Sequence, residues 1–148
     1  MKNETVSIEH SELVDALITN IDQAGGLVDE INERVINCAT LLRVEQSENA
    51  FRQVSTEIKN LTSVMEFINE VKKGLTFLAS SGYEISLDSL ACWENSLGVF
   101  NEMLSAFQNE DWVTVSDLLQ YEISPMLKDG RKGLETIVQS LSKLDDGS

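Results

Sequence analysis

The sequence predicts an all-α fold: an up-down-up-down helical bundle with long first two helices and a kinked fourth helix. Three observations carry this. Apolar residues recur in alternating steps of three and four over most of the 148 residues, and only one proline interrupts them. The segments between these runs are short, which makes consecutive helices antiparallel neighbours. The length and the 42% hydrophobic content are those of one folded domain able to bury a core without disulfides or metals. Residues 1–10 and 145–148 read as frayed ends.

The first helix is defined by Val14, Leu17, Ile21, Ala24, Val28, Ile31, Val35, Cys38 and Leu42, a heptad seam without a slip. Ser11 is its candidate N-cap, with Glu12 and Asp15 in the positive first turn, and the helix should end near Val44. Gly25-Gly26 does not shift the seam, so the helix is expected to run through the pair. Either a neighbouring helix approaches closely there, or the glycines are a tolerated weakness.

Ser47 is a cap candidate for the second helix, whose seam reads Phe51, Val54, Ile58, Leu61, Met65, Ile68, Lys72 and Leu75. Gly82 suits a left-handed C-cap. A loop over 81–86 leads to the third helix, with Ser86 as cap and Ile85 and Leu90 spaced as a hydrophobic staple. Its seam is Leu90, Trp93, Leu97, Phe100, Leu104 and Phe107. Asn109 or Asp111 caps the fourth segment, which begins at Trp112 and carries Val115, Leu118 and Leu119. Beyond Pro125 come Gly130, Gly133 and a last apolar set of Leu134, Ile137, Val138 and Leu141.

Helix lengths set a puzzle. At 1.5 Å per residue the first two helices should be about 50 Å long and the third about 33 Å. A straight fourth helix would overrun the third by nearly 20 Å on the same estimate. A bend at Pro125 or the glycines would resolve this, and so would burial against a second copy. For this reason a homodimer is expected. The long first pair should also leave apolar seam uncovered near its turn.

Twenty-five acids against eleven bases give a formal charge of −14. Such a surface repels a phosphate backbone and an anionic membrane, so neither nucleic acid nor membrane is an expected partner. A charged partner should be basic, although acidity also serves solubility alone. No apolar stretch approaches the ~20 residues of a bilayer crossing. The opening MKNETVSIEH has no apolar leader core, so a cytoplasmic location is expected.

Catalytic chemistry finds few ingredients. His10 is the one histidine, which excludes a di-iron site built on two Glu-x-x-His pairs. It lies in a polar setting at a helix start and reads as a surface residue, so no triad can be assembled around it. Cys38 and Cys92 are too few for a thiolate metal site and have no activating base nearby. Trp93 and Trp112 read as core anchors. The basic cluster in KDGRK could grip a carboxylate or phosphate, but more often such a group is a solvated turn or charge complementing a nearby helix C-terminus. No enzyme, cofactor or metal is expected.

One stretch departs from the pattern, DLLQYEISPML at 117–127. Counting from Val115 through Leu118 places Glu122 and Pro125 on the seam. A carboxylate there needs a partner, and Lys72 is the other charge on a seam, at a similar height in the bundle. Lys72 and Glu122 are therefore a candidate buried pair that would fix register, or with Tyr121 would line a small-ligand or cation pocket. In the alternative, Val71 takes the seam and both charges point outward. Pro125 removes an N–H and frees carbonyls near Tyr121, which Ser124 or water could satisfy, so a structural kink is expected there.

The same residues, Asp117, Leu118, Leu119, Tyr121, Glu122, Ile123 and Pro125, preceded by Asn109-Glu110-Asp111-Trp112, resemble a motif of small helical proteins of Gram-positive bacteria. The resemblance covers only the C-terminal half. It implies a helical bundle and no particular activity. In size, acidity and helicity the chain is also similar to flagellar and secretion export chaperones. The reading that follows is a protein-interaction module, adaptor or chaperone-like, taking a basic or helical partner.

Overall fold

The computed structural model describes residues 8–145. The fraying expected of 1–7 and 146–148 lies outside the described residues, whereas 8–10 and 145 are helical. The chain forms α1 (Ile8–Val44) and α2 (Glu48–Ser80), then an extended strap and a 3-10 turn (Asp88–Leu90). There follow α3 (Ala91–Asn95), α4 (Leu97–Gln108), α5 (Trp112–Leu118), a π-turn (Leu119–Ile123) and α6 (Ser124–Asp145). The elements from 88 to 108 make the third arm of a four-helix bundle and those from 112 to 145 the fourth. No described helix is long and apolar enough to cross a membrane.

All neighbours are antiparallel, because contact partners rise in number on one helix as they fall on the next. Arg34 meets Glu57 and Leu17 meets Gly74 between α1 and α2. Arg43 meets Asp117 and Asp29 meets Arg131 between α1 and the fourth arm. Ser89 lies against Gly133 and Cys92 against Met126 between the third and fourth. Met65 meets Ser96 and Lys72 meets Glu94 between α2 and the third. The α1 seam from Val14 to Leu42 is buried apart from half-buried Ala24. On α2 the inner row is Ala50, Val54, Glu57, Leu61, Val64, Ile68, Val71, Leu75 and Leu78. Phe51, Ile58, Met65 and Lys72 form a half-buried second row. Val71, not Lys72, holds the seam.

The caps follow local chemistry. Ser47 accepts a hydrogen bond from the N–H of Ala50 at 3.2 Å, and Asp111 accepts from the N–H of Thr114 at 3.2 Å. Gly82 takes φ 101° where α2 ends, a conformation open to glycine at no steric cost. Ser11 does not cap α1, which already begins at Ile8. Leu97 is half exposed because the third arm breaks at Ser96, whose hydroxyl donates to the carbonyl of Trp93. The core passes to Phe100, Met103 and Ala106.

The length puzzle has a different answer from either one expected. The fourth arm neither bends away nor needs a second copy: α6 runs through Gly130 and Gly133 along α1 to Asp145. The third arm starts low, and the strap fills the space above it. Tyr83, Ile85 and Leu87 are half-buried against the core and alternate with exposed Glu84, Ser86 and Asp88, the period of extended chain. From Tyr83 beside His10 to Leu87 the extended strap advances about 13 Å in four steps, and the 3-10 turn then sets Ser89 against Gly133. A helix needs about nine residues for that distance. His10 is thus not a plain surface residue. Its Nδ1 lies 2.9 Å from the Tyr83 hydroxyl, and its ring meets Phe77 and Tyr83 edge-on. At the opposite end the α1–α2 turn is covered, because Trp112 stacks on Phe51 with centroids 4.2 Å apart.

Candidate functional site

The stretch 117–127 is where helix geometry changes. Pro125 has no N–H to give the carbonyl of Tyr121. The chain answers one turn earlier by widening into a π-turn, in which the N–H of Ser124 donates to the carbonyl of Leu119, five residues back. The wider turn inserts one residue into the seam. Burial runs Val115, Leu119, Ile123, Leu127, Gly130, with three successive steps of four. Glu122 and Pro125 are rotated off the core and are exposed.

The proposed Lys72–Glu122 pair therefore does not exist. Lys72 pairs with Glu94, and Tyr121, Glu122 and Lys72 do not line a common pocket. Nor does Ser124 satisfy the freed carbonyl. It is buried and donates to the Asn32 side chain at 2.6 Å, while Ser116 donates to the carbonyl of Ala39 at 2.6 Å. These two hydroxyls clamp the π-turn to α1 from either side.

What the π-turn presents outward is Tyr121, 65% exposed. Arg43, in the last turn of α1, reaches across to it. One guanidinium nitrogen donates to the Gln120 side chain and another to Asp117 at 2.9 Å. Its Cζ lies 5.8 Å from the Tyr121 ring centroid, within cation–π range. Each exposed contact contributes about 0–1 kcal/mol, so the group serves less to stabilise the fold than to orient a ring and a guanidinium. Beside Arg43 stands Val113, 69% exposed. A cleft of about 260 Å³ opens beside Trp112, lined by Leu42, Arg43, Gln46, Val113 and Ser116. Sequence reasoning pointed to Tyr121 but missed Arg43 and Val113. The available signal was Val113, an apolar residue off the seam in the first turn of the fourth arm.

The other polar groups serve the fold. Glu57 occupies a seam position on α2, buried, where Arg34 Nε donates to both its oxygens at 3.0–3.1 Å and Asn60 to one at 3.2 Å. This is the seam ion pair of the bundle, at a place the sequence reading passed over in favour of Ile58. Burial, and then the Glu57 carboxylate, push the Cys38 thiol up to about 11. Burial also raises Cys92, whose Sγ lies 3.4 Å from the Met126 carbonyl. Neither is an activated thiol. The KDGRK cluster is inside α6, not a turn, and Arg131 pairs with Asp29 and Glu135 while its guanidinium lies over Gly25. No group of three or more His, Cys, Asp or Glu that could hold a metal occurs among the described residues.

A family model described as a domain of unknown function, DUF8042, matches residues 19–133. That span includes the π-turn, Arg43 and the whole third arm. No curated protein and no solved structure matches the chain.

Proposed function

The chain belongs to the DUF8042 family of domains of unknown function, and we propose that it is a non-enzymatic interaction module that docks a basic segment of another protein on the Tyr121 face. The observation that carries this reading is Tyr121 itself, a large ring held outside the core by a π-turn beside a fixed arginine, with exposed Val113 next to the same arginine. Tyr, Trp and Arg with apolar neighbours are the composition of interface cores. The formal charge of −14 supports a basic partner, which it would steer toward the face and hold at an acidic rim of Asp117, Glu122 and Glu45. The partner segment proposed is a short amphipathic helix whose apolar side enters the cleft beside Trp112 and Arg43. The role proposed is that of a cytoplasmic adaptor or chaperone-like binder.

The test is affinity capture with wild type, Tyr121→Ala, Val113→Glu and a Gln139→Ala control on an exposed part of α6. One basic protein should be held by wild type and control, and lost with Tyr121→Ala, with Val113→Glu, and on raising salt to about 0.5 M. A partner retained by both face variants would overturn the proposal. So would recovery of nothing but a second copy of the chain, read as a dimer by light scattering.

A further inference from the structure

Between α2 and the third arm the helices stand apart, and a pocket of about 280 Å³ opens where they separate. Its floor is apolar and rigid. Ile68, Leu90 and Trp93 are all buried, and Trp93 is fixed by its Nε1–H, which donates to the carbonyl of Gly130 at 3.1 Å. Leu97, half exposed after the break at Ser96, forms one wall. The rim carries one amide, Asn69, one ammonium, Lys72, and one carboxylate, Glu94. Lys72 and Glu94 bridge the mouth as an ion pair, each about half exposed.

This is a small, half-open apolar hollow whose rim offers one positive group, one negative group and one amide that both donates and accepts. The volume lies at the lower end of small-molecule pockets, so it suits a ligand of about a dozen non-hydrogen atoms. An anionic amphiphile would use Lys72 but leave Glu94 facing its own charge, and the overall negative field would oppose its approach. A cationic one would use Glu94 and leave Lys72 unpaired. A molecule carrying both charges satisfies both, replacing one exposed ion pair by two. Opening the Lys72–Glu94 bridge costs little, because a half-exposed surface pair contributes little.

We infer that this pocket binds a free apolar α-amino acid. Its side chain lies against Met65 and Leu97, above the buried Trp93, its carboxylate on Lys72 and Asn69, and its ammonium on Glu94. The site is independent of the Tyr121 face: the two share no residue, and either could fail without the other.

The test is calorimetric titration of the intact chain with phenylalanine, phenethylamine and 3-phenylpropionate, the last two each lacking one charged group. Phenylalanine should bind saturably and each single-charge analogue at least about tenfold more weakly. Glu94→Gln and Lys72→Met, both on exposed groups, should each lower phenylalanine affinity by about tenfold or more. Amide chemical-shift changes should be confined to residues 65–72 and 90–97. Equal binding of all three compounds would overturn the inference, since the rim would then read no charge. Wild-type affinity in either variant, shifts located elsewhere, or no binding of phenylalanine up to its solubility would overturn it as well.

Discussion

The α1–α2 hairpin is joined by rows of side chains, while the third and fourth arms are joined by backbone brought close at glycine. On α2 the buried positions advance in alternating steps of four and three from Ala50 to Leu78 without a break. Across from them, Gly133 lies so near the third arm that a Cβ there would stand 2.1 Å from the carbonyl oxygen of Ser89. A Cβ on Gly130 would meet the Trp93 ring at 2.5 Å. Side-chain rows tolerate small shifts because rotamers adjust. A backbone contact has no such freedom, and it fixes where the third arm begins and hence where the strap must end. The irregular half of the molecule is thus the one held to closer tolerances, and it carries the π-turn and one wall of the pocket that it shares with α2.

Glycine substitutions separate the two halves most sharply. Gly133→Ala should destabilise the protein by about 3 kcal/mol, because helix α6 and the Ser89 turn must part to admit the methyl group. Gly26→Ala, in open space on α1, should stabilise it by about 1 kcal/mol through helix propensity alone. Urea unfolding midpoints of the two variants should therefore move in opposite directions. If both moved upward, the close approach at Gly133 would be wrong.

The same contrast decides what could be read from the sequence. The α1 seam, its end at Val44, the Ser47 and Asp111 caps and the C-cap at Gly82 were legible because each is set within a few residues by propensity and hydrogen bonding. The π-turn was not. Counting in threes and fours assumes an α-helix, and the insertion forced by Pro125 displaces that count, which sent Glu122 to the wrong side. The strap was not legible either. Tyr83, Ile85 and Leu87 do alternate, but three positions in a loop give no signal until the helix ends they span are fixed in space. Rise per residue sets the difference between the arms at nearly 20 Å but does not say what fills it. Tyr121 was noticed for its neighbours, and its exposure follows from the same displaced count.

A smaller effect tests what the regular half uses in place of glycine contacts. The Glu57 side chain is 7% exposed and that of Arg34 43%. Arg34→Ala strands a buried carboxylate with Asn60 alone and should cost about 2 kcal/mol. Glu57→Leu puts an apolar residue into an apolar row while Arg34 swings to water, and should be neutral or slightly stabilising. Glu57→Leu also removes a negative charge that holds the Cys38 thiol up, so that thiol should titrate below about 11. Alkylation rate against pH reads the second effect and urea unfolding the first. A large loss of stability in Glu57→Leu would show that the pair does more than set register.

The smallest effect lies at the start of the fourth arm. The Asp111 carboxylate accepts from the Thr114 hydroxyl at 2.6 Å and from the Thr114 N–H at 3.2 Å. These bonds favour its charged form and hold it below the usual carboxylate value. A carboxyl lowered in the folded state adds stability above its unfolded value, about 3.9. That stability is lost as pH falls through the lower folded value. Asp111→Asn keeps an acceptor for the Thr114 N–H but cannot titrate, so it should hold the cap while losing this pH dependence. Lowering the pH also discharges the other acids of a chain with a formal charge of −14, which relieves repulsion and works in the opposite direction. The informative quantity is therefore the difference in unfolding midpoint between wild type and Asp111→Asn. It should favour wild type near pH 6 and shrink below about pH 3.9. A difference that stayed constant across that range would mean the cap is held by geometry and not by charge.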